Sequence, residues 1–264
     1  MCLIALAYRV HPAYPLLVVA NRDEFHHRPT QTLAPWPDVP QLFAGRDLEQ
    51  GGTWMGVSER GRWSAVTNFR EPEGELVDGE KEFVSRGKLP AGFLAGDMPS
   101  REYLSAIAAV SDQYRGFNLL VYDAQVLAYY SNREKKARAL EPGIYTLSNH
   151  LLDTPWPKNL KAGKKLGALM QQPVIRHEHL TAVLRDREPV EAALLPDTGI
   201  GQQLEHFLSP CFILGERYGT RNTTSVIFEV DGGLAITEEN WSVDGEQENL
   251  QRFILGKDAS GLGE

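Results

Sequence analysis

The residue whose type and position best suit it to chemistry is Cys2, which begins an apolar stretch that ends at Ala7. Removal of Met1, a routine processing step before a small residue, would make Cys2 the N-terminal residue. One residue would then carry a thiol with an ordinary pKa of about 8.5 and an α-amine with an ordinary pKa of roughly 8. An N-terminal amine can act as the base for a neighbouring nucleophile. The alternative interpretation is a small hydrophobic residue that opens a buried strand.

Four strongly polar residues, Asn21-Arg22-Asp23-Glu24, follow a second apolar run. They need partners, because a buried charge without one is costly. A tight turn around residues 11–15 would place residue 2 opposite roughly residue 24 by mirror counting, so the tetrapeptide is predicted to face Cys2. An arginine near the thiol would favour the thiolate, and a carboxylate would orient the ammonium group.

The alternation of side chains along a strand limits how this tetrapeptide can act. Arg22 and Asp23 cannot both face Cys2 in regular geometry, because adjacent residues point to opposite faces. Either the strand ends or bulges there, or Asn21 acts with Asp23, or Arg22 acts with Glu24. The simpler alternative is a surface strand end that carries charges.

Apolar runs and turn signals predict the elements that position these residues. The predicted strands are 2–10, 16–20, 51–57, 62–68, 117–122, 126–130, 143–148, 212–214, 223–230 and 234–239. The predicted helices are 84–95, a segment that starts after an N-cap at Ser100, 158–171, 177–187 and a short acidic segment near the C-terminus. The proline-rich segment 29–40 is predicted to be a loop, and the acidic segment 71–82 is predicted to be exposed.

The order of these elements predicts the fold class. Hairpins, a helical pair, more strands, another helical pair and terminal strands do not alternate strand with helix, which disfavours a doubly wound parallel sheet. Continuous apolar strands indicate sheets that are covered on both faces. We therefore predict an α+β fold of two mainly antiparallel sheets with helices outside. The absence of an internal repeat or linker favours one domain over residues 1–264.

Composition disfavours several classes of protein. The chain has 264 residues, of which 42% are hydrophobic and 23% charged, as is typical of a soluble globular protein. A formal net charge of −8 without a basic run argues against nucleic acid or an anionic membrane as the main partner. Two cysteines are too few for a disulfide framework, and no apolar run approaches a membrane span. We expect a cytoplasmic protein without an integral membrane segment.

Cys2 together with Asn21-Arg22-Asp23-Glu24 resembles the NRDE family, also called the transport-and-Golgi-organisation family, which is named for that tetrapeptide. The resemblance spans nearly the whole chain and includes GGTWMGV at 51–57, VTNFR at 66–70, LSN at 147–149 and YGTR at 218–221. It implies a four-layer αββα fold like that of N-terminal-nucleophile hydrolases, in agreement with the predicted order of elements.

More distantly, the layout is similar to cysteine-type amidases such as penicillin V acylases and bile salt hydrolases. That similarity implies a nucleophile, an oxyanion donor, an asparagine near the α-amine and a late active-site arginine, which are Cys2, Asn68, Asn149 and Arg221. The amidases carry an aspartate three residues after an arginine, whereas Arg22 and Asp23 are adjacent. Whether Asp23 or Glu24 binds the amine therefore stays open.

The candidate site comprises two groups of residues. The predicted catalytic residues are Cys2, Arg22, Asp23, Asn68, Asn149 and Arg221. The predicted substrate contacts are Asn21, Glu24, Trp54 and Thr67. Each has a simpler alternative, since asparagine often ties down strand ends through backbone bonds and Trp54 fits a core position as well as a pocket wall.

Two classes of function follow. The first is an N-terminal cysteine hydrolase that acts on an amide or other acyl bond of a small or lipid-like substrate and needs no cofactor. The alternative is a non-enzymatic carrier of lipid, acyl-CoA or haem on the same scaffold, in which Cys2 would be an axial ligand or a lipidation site. The oligomeric state stays open.

No metal site is predicted. His26 and His27 are adjacent and would diverge on a strand, whereas a metal site needs three or four convergent ligands. His177 and His179 lie on a predicted helix, where residues two apart do not share a face.

Overall fold

The computed structural model describes residues 2–71 and 82–256. Its strands are β1 (Cys2–Tyr8), β2 (Leu16–Phe25), β3 (Thr30–Trp36), β4 (Val39–Asp47), β5 (Met55–Ser58), β6 (Arg62–Asn68), β7 (Phe117–Tyr122), β8 (Leu127–Ser131), β9 (Arg138–Ala139), β10 (Gly143–Leu147), β11 (Tyr218–Phe228), β12 (Leu234–Trp241) and β13 (Gln247–Leu255). Its α-helices are α1 (Lys88–Ala95), α2 (Ser100–Ala109), α3 (Pro157–Leu169), α4 (His177–Val183) and α5 (Gln202–Phe207).

The strands form two antiparallel sheets. The first sheet has the order β10-β1-β2-β11-β12-β13, and the second runs in chain order from β3 to β9. One core cluster lies between the sheets, where Ile4 and Val18 of the first sheet meet Trp63 and Leu120 of the second. The predicted pair of antiparallel sheets is therefore confirmed.

Two further clusters attach the helices to the outer faces of the sheets. Leu3 and Val19 of the first sheet belong to one cluster with Leu166 of α3 and Leu180 of α4. The other cluster joins the second sheet to α1 and α2, and it contains Val66, Leu119, Phe93 and Leu104. Alternate residues of a strand thus enter different cores, which explains why β1 and β2 read as continuous apolar runs. The αββα layering is confirmed.

The prediction of a loop at 29–40 is wrong, because β3, the two-residue turn after it and the start of β4 occupy that segment. Pro35 is tolerated because β3 is the edge strand of its sheet, where a missing N–H costs no ladder bond on the open side. The register between β3 and β4 also shifts next to Pro35, as expected at an irregular edge.

The predicted acidic helix near the C-terminus is also wrong. Residues 247–255 form β13, an edge strand whose first four residues are exposed, so the segment lacks the apolar pattern of an inner strand. The segment 212–214, predicted as a strand, is irregular, and α5 was not predicted. Helix α2 is confirmed, although its N-cap is Pro99 rather than Ser100. Residues 72–81 of the acidic segment lie outside the described residues.

Among the described helices, none combines the length and the apolar character that crossing a membrane requires.

A close backbone contact joins the segment before α1 to the segment before β5. The backbone N–H of Thr53 donates to the carbonyl of Gly87 at 3.0 Å. A Cβ atom added at Gly52 would lie 2.4 Å from the carbonyl carbon of Gly87, so only glycine permits this approach. The contact fixes the position of Arg86 and its neighbours relative to the second sheet.

We predict that Gly52→Ala destabilises the protein by about 1–3 kcal/mol, because the added methyl group meets rigid backbone. Thermal unfolding of the purified protein measures this. The matched control is Gly167→Ala in α3, where the new Cβ would meet only the flexible end of Ile144 at 3.3 Å and alanine favours the helix. An unchanged melting temperature for Gly52→Ala would contradict the proposed close contact.

Candidate active site

The pairing of β1 with β2 sets the position of Cys2. The register joins Tyr8 to Leu16 and Cys2 to Arg22. The mirror count that placed residue 24 opposite Cys2 is therefore wrong by two residues, because the turn between the strands is wider than a tight turn at 11–15. The tetrapeptide nevertheless lies beside Cys2, as predicted.

Strand β2 continues without a break through the tetrapeptide to Phe25, and its pairing with β1 is regular. Paired residues of an antiparallel sheet share a face, so Arg22 and Glu24 lie on the face of Cys2, toward the second sheet. Asn21 and Asp23 lie on the opposite face, toward the helices. Of the arrangements left open by the sequence, the register favours Arg22 with Glu24.

A bulge in β2 was one of the alternatives left open by the sequence, but the bulge beside the tetrapeptide lies in the neighbouring strand β11. Thr220 pairs with Asp23 and Asn222 pairs with Arg22, so Arg221 is the extra residue of a β-bulge in β11. The guanidinium group of Arg221 donates to the carbonyl oxygen of Arg28 at 2.6 Å. Arg221 therefore braces the turn after β2 and does not line the cavity described next.

A cavity of about 360 Å³ opens at this end of the two sheets. Six of the predicted site residues line it, namely Cys2, Arg22, Asp23, Glu24, Trp54 and Asn68. Its wall also includes the segment 83–87 and several residues that the sequence analysis did not single out, namely Arg28, Asp47, Gln50, Thr53, Val66 and Arg115. These residues come from distant parts of the chain and carry no shared motif.

Arg22 is held in place beside Cys2 by two contacts. Its guanidinium carbon lies 4.1 Å from the ring centroid of Trp54, and the group donates to the Thr30 hydroxyl at 3.2 Å. Burial lowers the pKa of Arg22, while Glu24 and Cys2 oppose that shift. The cation–π contact orients a buried guanidinium group without neutralising its charge.

Asp23 is buried on the helix-facing side of the first sheet. Its Oδ1 accepts a hydrogen bond from the Thr220 hydroxyl at 2.7 Å, and its backbone carbonyl accepts one from the Tyr218 hydroxyl at 2.9 Å. Burial raises the pKa of Asp23, whereas the charge of Lys158 and the bond from Thr220 oppose the shift. Lys158 itself is buried and donates to the carbonyl of Leu208 at 2.9 Å.

The Cys2 thiol lies in an environment that favours its neutral form. Burial raises the pKa of Cys2 above its ordinary value, and the negative charges of Asp23 and Glu24 act in the same direction. The charge of the amino terminus and that of Arg22 oppose the shift. Arg22 thus favours the Cys2 thiolate, and the interaction of Arg86 with that thiolate has the same sign.

Asn68 and Asn149 are linked to each other and to Cys2. The Asn149 amide donates to the backbone carbonyl of Asn68 at 3.0 Å. The Ser148 hydroxyl lies 3.1 Å from the Cys2 carbonyl oxygen and 3.2 Å from Oδ1 of Asn149. Asn149 is fully buried behind the cavity wall, whereas Asn68 lines the cavity.

Two of the predicted substrate contacts lie away from the cavity. The Asn21 amide donates to the carbonyls of Leu184 and Cys211 at 3.1 and 2.8 Å, and its Oδ1 accepts from Thr223 at 2.6 Å. The Thr67 hydroxyl accepts from the Asn118 amide at 3.1 Å and is buried. Both side chains are buried and form hydrogen bonds with other protein groups.

Arg28, Arg86 and Arg115 are the cavity residues that sequence reasoning missed. Arg86 and Arg115 each precede a glycine, which is the only local signal available: Gly87 lies close to the backbone of Thr53, and Gly116 lies close to the side chains of Glu71 and Arg133. Arg28 forms salt bridges with Asp47 and Glu49, with nitrogen–oxygen distances of 2.7 and 2.8 Å. Within the part of the chain that the structure describes, no three His, Cys, Asp or Glu side chains converge as metal ligands.

The stacked sheets with outer helices are the architecture of N-terminal-nucleophile hydrolases. A Caenorhabditis elegans N-acylethanolamine-hydrolyzing acid amidase ortholog is similar in structure with a TM-score of 0.52 at 10% identity, over 86% of this chain and 92% of the amidase. Penicillin V acylase from Agrobacterium tumefaciens gives a TM-score of 0.47 at 12% identity, over 90% and 83% of the two chains. At such low identity the likeness to the amidase shows the fold alone.

The chain belongs to the Transport and Golgi organisation 2 family, whose sequence model matches residues 1–243. The Transport and Golgi organization 2 homolog of Mus musculus is 35% identical over 262 aligned residues, which cover 91% of this chain and 93% of the mouse protein. The resemblance inferred from the tetrapeptide is therefore confirmed.

We predict that Asn21→Ala lowers the free energy of unfolding by about 1–3 kcal/mol or more, because two buried carbonyls and a hydroxyl lose their partner. Chemical denaturation measures this. Asn249→Ala, at an exposed position of β13, is the matched control and should change little. Unchanged stability combined with weaker substrate binding would instead support Asn21 as a substrate contact.

We predict that Cys2 in protein that retains Met1 reacts slowly with iodoacetamide at pH 7 and faster as the pH passes 9. The raised pKa of the thiol means that little thiolate is present below the ordinary value of 9.0. Intact-mass kinetics in a Cys211→Ser background report Cys2 alone. A rate that reaches its plateau below pH 9 would contradict the burial argument.

Proposed function

We propose that this protein is an N-terminal cysteine hydrolase that cleaves an amide or other acyl bond of a small or lipid-like substrate. The observation that carries the proposal is the presence of Cys2, Asn68 and Arg22 on the wall of one cavity. A nucleophile, an oxyanion donor and a cation that favours thiolate are the groups that acyl transfer needs. The fold shared with an amidase supports the same class of reaction.

The proposed reaction begins after removal of Met1. The neutral α-amine of Cys2 accepts the thiol proton, and the sulfur attacks the substrate carbonyl carbon. The amide N–H groups of Asn68 stabilise the oxyanion. The ammonium group then donates its proton to the leaving amine or alkoxide as the acyl–enzyme forms. Water hydrolyses the thioester with the amine as base, which returns the thiol.

Removal of Met1 would offset the raised pKa of the Cys2 thiol. In the unprocessed chain, burial and the two carboxylates favour the neutral thiol. A free α-amine on the same residue supplies a base within that residue, so proton transfer needs no distant group. Asp23, held by Thr220, is placed to orient the resulting ammonium group from the helix-facing side. Asn149 helps to position Cys2, because the Ser148 hydroxyl lies within hydrogen-bond distance of both the Asn149 side chain and the Cys2 carbonyl.

A second candidate function is a carrier that binds an acyl compound, lipid or haem and does not cleave it. The observation that favours it is the raised pKa of the Cys2 thiol, since a neutral thiol is a poor nucleophile. In that case the cavity would hold its ligand without a covalent intermediate. The two functions differ in the chemistry of Cys2 and can be separated by one pair of variants.

We predict that Cys2→Ala abolishes acyl–enzyme formation and turnover without unfolding the protein, because residue 2 keeps its place in the ladder. Intact-mass analysis with an electrophilic β-lactone acyl probe, followed by peptide mapping, locates the acyl group. Cys211→Ser is the matched control, since Cys211 is buried away from the cavity and burial raises its pKa to about 11. Full turnover by Cys2→Ala would exclude Cys2 as the nucleophile, and bound, uncleaved lipid in both proteins would favour the carrier.

We predict that Asn68→Ala lowers kcat by about 10²–10³, the usual effect of removing one oxyanion donor. The substitution preserves the bond from Asn149, which goes to the backbone oxygen of residue 68. Stability should therefore change little, as thermal unfolding can verify. A loss confined to KM would show that Asn68 binds substrate without stabilising the transition state.

A further inference from the structure

The cavity wall carries more arginine than the proposed hydrolysis uses. Arg22, Arg28, Arg86 and Arg115 all line it. Arg22 lies against Trp54 on the face shared with Glu24, and Arg28 is paired with Asp47 and Glu49. Neither Arg86 nor Arg115 has a carboxylate within ion-pair distance among the residues that the structure describes.

Arg86 is held rigidly in this wall. One amino group of its guanidinium donates to the carbonyl of Gly116 at 3.0 Å. Its own backbone precedes Gly87, which is locked against Thr53 by the close contact described above. Arg86 lines the cavity together with Arg115, the residue next to Gly116, and its guanidinium group has further N–H donors besides the one bound to Gly116.

Arg115 is also placed by its surroundings. The Asn132 amide donates to the carbonyl of Arg115 at 3.2 Å and accepts from the backbone N–H of Phe117 at 2.9 Å, which fixes the backbone on both sides of Gly116. The guanidinium carbon lies 5.5 Å from the ring centroid of Phe83. The side chain is exposed at the cavity, so a ligand can reach it.

Two neighbouring guanidinium groups repel each other unless an anion lies between them. Burial, followed by the charge of Arg115, lowers the pKa of Arg86 to about 10, while Glu24 and Cys2 oppose that shift. Asp23, Glu24 and Asp47 also line the cavity, but none of them lies within ion-pair distance of Arg86 or Arg115. These two charges can therefore attract an anion that the rest of a chain with a net charge of −8 repels. Carboxylate and phosphate oxygens match the geometry of guanidinium donors.

We propose that Arg86 and Arg115 form a subsite for an anionic oxygen group, a carboxylate or a phosphate, on the acyl substrate whose carbonyl reaches Cys2. This inference rests on the proposed function for the identity of the bound molecule as a substrate. The subsite selects charged acyl compounds over neutral ones of the same length. Phe83 and Val84, beside the arginines, supply apolar contacts on the same wall.

The test measures binding in the Cys2→Ala protein, which cannot turn over its ligand. Isothermal titration compares N-octanoylglycine with its neutral primary amide, and octyl phosphate with inorganic phosphate. We expect the anionic octyl probes to bind about tenfold more tightly than the neutral amide, because hydrogen bonds to a charged group are stronger than those to a neutral one. The tighter of N-octanoylglycine and octyl phosphate identifies the preferred anion.

Arg115→Gln should reduce this preference to less than about threefold, and Arg86→Gln should act in the same direction. Arg115 is the decisive variant, because it is exposed and its side chain forms no hydrogen bond with another residue that the structure describes, whereas Arg86 also holds Gly116. Arg60→Gln, in the exposed turn after β5, removes one positive charge away from the cavity and should leave the preference intact.

Equal binding of N-octanoylglycine and its amide, or a preference that Arg115→Gln leaves unchanged, would overturn the subsite. Tight binding of inorganic phosphate with no gain from the octyl chain would overturn its role in binding substrate. Acylation of Cys2 without any anion preference would refute this inference and leave the proposed hydrolase standing. An arginine-dependent preference in a protein whose Cys2 never reacts would support the anion subsite and refute the hydrolase.

Discussion

The ladder on both sides of β1 is the constraint on which the site depends. Chain termini usually fray unless tertiary contacts tie them down. Here β1 lies between β10 and β2, and Leu3 and Ile4 are buried on its opposite faces. The pairing of Cys2 with Arg22 therefore follows from the register of the whole hairpin. Cys2 itself pairs with β2 alone, because the pairing of β1 with β10 begins at Ile4, and the Ser148 hydroxyl donates to the Cys2 carbonyl at 3.1 Å.

The same constraint creates the chemical difficulty of the site. Cys2 is half-buried at the cavity, but the protein around its thiol desolvates it, and desolvation favours the neutral form. The charge of the amino terminus and that of Arg22, on the neighbouring strand, counter this shift in pKa. The register of β1 and β2 places Arg22 opposite Cys2. The bulge at Arg221 shifts the register of β11, so that Thr220 pairs with Asp23 and donates a hydrogen bond to its carboxylate. The α-amine exposed by processing would supply the remaining activation.

The sequence predicted the first hairpin and both sheets because their apolar runs are long and their turns are marked by proline and glycine. It failed at β3 and β13, which are edge strands, where Pro35 and a polar sequence are tolerated. Mirror counting missed the true partner of Cys2 because the turn is wider than its prolines indicated. Arg86 and Arg115 were missed because only tertiary contacts through Gly87 and Gly116 bring them to the cavity.

The central claim is that the α-amine and thiol of one residue work together at the end of β1. Its most direct test measures acyl turnover in a single preparation that retains Met1, before and during digestion with methionine aminopeptidase, with intact mass followed in parallel. The account predicts that turnover rises in proportion to the fraction of chains that begin at Cys2. Full turnover while every chain still begins at Met1 would contradict it.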